Sequence, residues 1–464
     1  MTNRTTATDR NAAFVQQMTE QMATLARTLS AWVQAEPRPL QELEAQVVRV
    51  LHDLGSTLLT ALLPLAAPVR PEPDLPCGCG QIARYVRVRP ATVTTVLGRV
   101  TLNRAIYHCH CCGAYAAPLD QQLQIAAGGL SLGLQELLAL LGATQDSFAQ
   151  AAAVVERLCL VQICPNSVRA ATEDLGAVLT DHERAVVTTA QTDGSSPPAA
   201  VAAPPRVYLS MDGVVTPVHD AGWKEIKVGC VYTTRTRIPR QRPETLVIQA
   251  EQQSYLAALT DAETFGWRLW AEACRRGVTD QTDLVVIGDG AHWIWNLAAE
   301  HFPQATQIVD WYHASQYVWR AASTIFGETS DLRVPWARQH LDNLWDGRVA
   351  EVLAVLEPYR PKGEGVTDAL SYFTTHQARM DYPSYRARGL QVGSGTVESA
   401  CKQLVSARLK LAGMIWNVPE AEAVAVVRAW LKSGRWDEAM RLRPPPQRTY
   451  QRQTVAADAT VAVA

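Results

Sequence analysis

Beyond residue 206 three strand-like runs, "RVYLSMDGV", "KEIKVGCVYT" and "ETLVIQAE", follow one another in quick succession. A helical stretch over about 262–276 comes next. Then come the apolar run Leu284–Ile287, a helix from His292, the run "QATQIVD" and a helix from Trp311. Strands joined by turns pair antiparallel, and strands separated by helices pair parallel. The succession therefore calls for one mixed sheet with helices on its faces. Residues 331–385 carry no strand pattern and read as an all-helical insertion. Residues 386–436, with a helix pair over about 395–433, complete the domain over 206–330.

Upstream, "TTAQTDGSSPPAAVAAPP" (188–205) is rich in Pro, Ser and Ala and reads as a linker. Before it, 1–70 has helical spacing interrupted at "AEPRPLQE" and predicts two helices. Residues 71–125 hold clustered cysteines and the alternating runs "ARYVRVRP" and "GRVTLNRAIYHC". Residues 126–187 turn helical. There, helix, short connection and helix, with Asn166 or Ser167 as the second cap, read as a helix-turn-helix-like pair or as two ordinary packed helices. The tail, 437–464, reads as flexible. A chain of 464 residues exceeds one core and suggests several domains.

A net charge of −2 removes any argument for nucleic acid from global basicity. The local balance differs: between Cys77 and Leu119 there is no acid, while Arg84, Arg87, Arg89, Arg99 and Arg104 are all cationic. Such a patch is what phosphate backbones select. No unbroken apolar run of about 18 residues occurs, and the N-terminus lacks a signal-like apolar core. The expectation is a cytoplasmic protein with no membrane partner and reduced thiols, clustered ones being metal ligands.

"CGCGQ" and "CHCCG" supply two cysteine knuckles about thirty residues apart, as in a closed tetrahedral zinc ribbon. The preferred ligands are Cys77, Cys79, Cys109 and Cys112, with Cys111, His108 and His110 as alternatives. The first knuckle is one residue shorter than the usual C-x-x-C. Cys159, Cys164, Cys230, Cys274 and Cys401 read as small buried hydrophobes.

Three acids stand at glycine-flanked entries. Asp212 follows the first strand in "VYLSMDG", Asp289 follows the fourth in "VVIGDG", and Glu398 sits in the first turn of a helix entered through "GSG". Each has a plain reading as turn, cap or helix-dipole acid. Together, converging at one sheet edge, they would repel one another and call for a divalent cation. Oxygen ligation suits Mg²⁺ or Mn²⁺, and a pair of such ions suits in-line phosphoryl displacement.

The order Asp212, Asp289, Glu398 resembles the DDE triad of transposases with a ribonuclease-H-like fold. The words "MDGV", "IGDGAHWIW", "DWYHASQYVW" and "GSGTVESACKQL" resemble the Kra-type branch of bacterial insertion-sequence transposases, related to the Mutator-like group. The likeness runs over most of residues 70–430. It implies an α/β ribonuclease-H-like core with an all-helical insertion, preceded by the helical region, the zinc ribbon and the helix-turn-helix-like pair. It implies that Asp212, Asp289 and Glu398 hold two Mg²⁺ ions that activate water and then a DNA 3′-hydroxyl. Double-stranded DNA, both transposon ends and target, is the expected partner. The chain is expected to act as a homo-oligomer, a dimer on DNA, associated with the nucleoid when bound. Asp310 and His313 of "DWYH" resemble an acid-x-x-His motif of the wider group and are candidate auxiliaries. Lys402 and Arg408 follow Glu398 and join the ribbon arginines as candidate DNA contacts. The rivals are a nuclease of the same fold without strand transfer, a binding-only derivative of a transposase, and a zinc hydrolase on His292, Asp310 and His313.

Overall fold

Leu and Ala at helical spacing build the first two elements, α1 (Ala7–Ala35) and α2 (Leu40–Ala66), parted at the prolines of "AEPRPLQE". The computed structural model describes residues 7–66, 72–125, 127–220, 222–238 and 247–444, in two units built on Met1–Ala171 and Thr172–Leu442. By length and composition α2 could cross a membrane, a property that counting unbroken apolar runs misses because Asp53 interrupts it. Its Leu59 and Leu63 nonetheless rest on the cluster of Val93, Val100, Leu102, Leu119 and Ile125.

That cluster belongs to an antiparallel sheet ordered β1 (Asp74–Pro76), β2 (Ile82–Thr95), β3 (Gly98–Cys109), β4 (Tyr115–Ala116). A second small cluster, Ala83, Tyr107 and Cys109, lies at the knuckle end. After α3 (Pro118–Gln122), the helices α4 (Leu132–Thr144), α5 (Phe148–Cys159) and α6 (Pro165–Asp193) follow. Leu134, Leu138, Val155 and Val168 form their shared core. Ser131 and Ser147 cap α4 and α5 by accepting from the N–H of Leu134 and Gln150. Neither Asn166 nor Ser167 caps α6, because the helix already begins at Pro165, whose missing N–H costs nothing in a first turn.

The boundary expected at 188–205 is displaced. The helix α6 runs on to Asp193, and the division between units falls inside it. Its second half belongs to the core of the second unit. A Cβ on Gly176 would stand 2.5 Å from Ala423 backbone, so only glycine allows that helix crossing. Glu183 accepts from Trp430 Nε1 at 2.7 Å. The Pro- and Ala-rich stretch beyond is pinned, with Ala200 N–H donating to Arg275 C=O.

In the second unit β5 (Arg206–Val218), β6 (Gly222–Arg237) and β7 (Val247–Ala258) form the antiparallel meander. Residues 244–246, the start of the third expected run, lie outside the described residues. Then α7 (Ala262–Arg275), β8 (Asp283–Gly288), α8 (His292–His301), β9 (Thr306–Val309) and α9 (Trp311–Phe326) alternate. The sheet order is β7-β6-β5-β8-β9, with β5, β8 and β9 parallel. Interior strand β8 is buried almost throughout, as a run of Leu, Val and Ile covered on both faces must be. Residues 331–385 hold the helices α10 (Arg333–Trp345), α11 (Val349–Leu356), α12 (Glu364–His376) and α13 (Tyr382–Ala387). The chain closes with α14 (Gly395–Cys401), a π turn at Lys402–Ser406, α15 (Ala407–Leu409), α16 (Val418–Lys432) and α17 (Trp436–Leu442). The tail expected from 437 is thus helical to Leu442, and its remainder from 445 lies outside the described residues.

Candidate active site and cysteine cluster

Strand register sets the site. Ser210 of β5 pairs with Ile287 of β8, and Gly288 of β8 with Val309 of β9. Carrying those registers forward brings Asp212 level with Asp289, and Asp289 level with Asp310. Three carboxylates therefore stand in one row across the carboxyl ends of three adjacent parallel strands, where open α/β sheets form their sites. Asp212 is not at the end of its strand, as the sequence suggested. It lies inside β5, just past the last residue paired with β8, and the strand continues to Val218 against β6.

Each carboxylate is fixed by its surroundings. Asp212 accepts from Gly213 N–H at 2.7 Å and from the Cys401 thiol at 3.5 Å. Burial pushes its carboxyl up; the Gly213 N–H opposes that, and the charge of Asp289 adds to it. Asp289 Oδ1 accepts from Ala291 N–H at 2.8 Å, which closes the turn before α8; Ala291 stands at the cap position, so Asp289 does not cap that helix. The intervening Gly290 has φ +113°, and a Cβ there would lie 2.5 Å from Tyr372, so glycine is required.

Asp310 is fully buried and caps α9. Its Oδ1 accepts from His313 N–H at 2.8 Å and from His313 Nδ1 at 2.9 Å. Its Oδ2 accepts from Ser394 N–H, the residue that leads into α14. Burial works to raise its carboxyl, but the bonds from His313 and Ser394 outweigh it and hold Asp310 below the usual carboxylate range. The same contact raises His313 against burial, with the charges of Asp310, Asp289 and Glu398 adding to the effect. Glu398 Oε1 accepts from Ser394 Oγ at 3.0 Å.

The tightest grouping is Asp310, His313 and Glu398, whose ligand atoms lie within 4.8 Å of one another. Asp212 and Asp289 stand outside that limit and act on the group electrostatically. The pair named as auxiliary on sequence thus sits at the centre. No lysine or arginine among the described residues is ion-paired with any of the four acids; His313 is bonded to Asp310, and the charges of Asp212, Asp289 and Glu398 are left for a cation to neutralise.

Sequence reasoning missed Cys401 and Tyr372. The Tyr372 hydroxyl donates to Asp289 C=O at 2.6 Å, and those of Tyr382 and Tyr385 donate to the C=O of Val309 and Gln307. The insertion is thereby tied to the exposed side of edge strand β9 and to the acid row. Nothing in the sequence marks these tyrosines, which lie 73 to 83 residues from the carbonyls they reach. Lys402 is exposed and makes no ion pair with Glu398. Arg408 cannot be a surface contact: it is 1% exposed, its guanidinium over the Trp416 ring.

In the first unit, Cys77, Cys79, Cys109 and Cys112 bring four sulfurs within 4.8 Å of one another. Cys77 and Cys112 lie 3.6 Å apart, as do Cys79 and Cys109. A tetrahedral site with Zn–S near 2.3 Å would set its sulfurs about 3.8 Å apart, so the donor set fits. Backbone N–H groups of Cys112 and Cys111 draw Cys109 down to about 7, while thiol neighbours push Cys79 and Cys112 up, so the four thiols share their protons as one closely packed set. Cys111 is exposed and outside the cluster, and the His108 ring packs on Tyr115. Of the lone cysteines, Cys230, Cys274 and Cys401 are buried, Cys159 is half-buried and Cys164 is exposed. Among the ribbon arginines, Arg84, Arg87, Arg89 and Arg99 are exposed, whereas Arg104 is spent on buried Asp120.

The chain belongs to an uncharacterised protein family, UPF0236, which matches residues 35–325 and is a family of transposase-like proteins. No curated protein matches the sequence.

Proposed function

We propose that this protein is the DNA transposase of an insertion sequence, similar to the Kra-type branch. It would bind transposon ends, cut phosphodiester bonds and join the freed 3′-hydroxyl to target DNA. The observation that carries the reading is the acid row: Asp212 within β5, Asp289 and Asp310 just past the ends of β8 and β9, with Glu398 reached through Ser394. An antiparallel meander continued by two parallel strands supports a ribonuclease-H-like core.

The residues fit divalent cations, since Asp212, Asp289 and Glu398 offer oxygen donors with no lysine or arginine paired to them among the described residues. Asp212, Asp289 and Glu398 would hold the ions. A bound pair of Mg²⁺ or Mn²⁺ supplies charge stabilisation to the attacking and leaving oxygens. Asp310 acts on its neighbours: it orients His313 and anchors the turn into the Glu398 helix. His313, held towards its cationic form, and exposed Lys402 are suited to meet phosphate oxygens. The cysteine cluster would hold a structural Zn²⁺. Since two ends must be brought together, the working form is a homo-oligomer, a dimer on DNA, in the cytoplasm and at the nucleoid.

The test is purified protein with labelled end DNA and Mg²⁺, resolving cleaved from joined products. Cleavage with joining supports the proposal. Cleavage alone makes the protein a nuclease, and binding without cleavage makes it a DNA-binding derivative.

A further inference from the structure

We propose that the ribbon arginines do not form a diffuse patch. Arg84, Arg87 and Arg89 form one row that grips the phosphate backbone of a DNA duplex, aligned by a β-bulge at Val86. The inference deepens the DNA-binding part of the proposed function and rests on it for the choice of duplex DNA.

The register carries the argument. Arg84 pairs with His108, Arg87 with Ile106 and Arg89 with Arg104. Those partners alternate along β3 and share one face, and cross-strand partners point the same way. Arg84 and Arg87 are an odd number of residues apart, so a regular strand would send them to opposite faces. The register shift between Tyr85 and Arg87 inserts one residue and returns Arg87 to the face of Arg84. Alternate residues on a strand are about 7 Å apart, close to the step between successive phosphates of a nucleic-acid strand.

The row is free to act. All three arginines are exposed and form no ion pair among the described residues. At one end Arg104 shares the face but is held by Asp120. At the other end the His108 and Tyr115 rings pack against one another, centroids 4.4 Å apart and planes tilted by 37°, and His108 is the cross-strand partner of Arg84. Arg99 pairs with Thr94 and projects from the opposite face. Asp74 of β1 borders the row as the cross-strand neighbour of Arg84, without an ion pair between them.

The experiment measures affinity of the full-length, zinc-loaded protein for a random-sequence DNA duplex against salt, without added Mg²⁺. Arg84→Gln, Arg87→Gln and Arg89→Gln should each reduce the log–log salt slope by about 0.9, the share of one phosphate contact. Arg99→Gln should leave the slope unchanged, and Asp74→Asn should tighten binding at low salt. Equal losses at all four arginines, or at none, would overturn the row; zinc content and circular dichroism confirm that each variant is folded. If the slopes change as expected but Mg²⁺ yields neither cleavage nor joining, the row stands and the transposase reading falls. If cleavage and joining occur with unchanged slopes, the reverse holds.

Discussion

Asp310 and His313 are bonded twice within one helical turn, carboxylate to ring at 2.9 Å and carboxylate to backbone N–H at 2.8 Å. The other oxygen of Asp310 holds Ser394, so one buried acid ties α9 to the entry of the Glu398 helix. Asp310→Asn should therefore cost stability, about 1–3 kcal/mol for buried partners left unsatisfied. The sign with pH follows from the depressed folded value of Asp310. Its stabilising contribution is complete above the unfolded carboxyl range and is lost as pH falls through the folded value. Urea unfolding in metal-free buffer across pH should show the gap between wild type and variant closing on acidification. A gap independent of pH would contradict this role.

Asp212 carries the opposite sign. Its folded carboxyl is raised by burial, so its charge weakens the metal-free fold at neutral pH, and the penalty vanishes below the unfolded range. Asp212→Asn should raise the melting temperature by roughly 2–4 °C per kcal/mol relieved, while removing DNA cleavage. A lower melting temperature at neutral pH in metal-free buffer would count against this account.

The cysteine cluster predicts one zinc per chain. Cys109→Ser should lose the metal and loosen the ribbon, read as faster amide exchange over β2 and β3, and a chelator should do the same to the wild type. Cys111→Ser should keep its zinc. Less than about half an equivalent in purified wild-type protein would rule out the four-cysteine site.

Gly290 fixes where Asp289 sits. Gly290→Ala combines a positive φ with a collision against Tyr372, and should cost about 1–3 kcal/mol. Tyr372→Phe removes the hydroxyl bond to Asp289 C=O and should cost about 1 kcal/mol. Denaturant titration of both variants checks the order; a neutral Gly290→Ala would show that the turn adapts.

Local chemistry made much of this readable in sequence. Alternating β and α patterns announce the sheet, the glycines around Asp289 mark a tight exit, and paired knuckles mark the cysteine cluster. Partnerships formed only by tertiary packing were not readable. Arg408 looks like any surface arginine until Trp416 covers it. The "SSPPAAVAAPP" stretch reads as a linker because its composition is poor in core residues, yet its backbone is pinned to Arg275. Tyr372 and Cys401 reach the acids from distant segments with no local motif. Asp310 caps α9 through a local bond, but its second bond, to Ser394, is 84 residues away in sequence.

The most direct test is Asp289→Asn, assayed with labelled end DNA in Mg²⁺ beside a melting curve. Asn keeps the acceptor for Ala291 N–H and removes the charge, so the fold should persist while cleavage and strand transfer fall to background. A variant that cleaves and joins at the wild-type rate would contradict the metal-binding acid row.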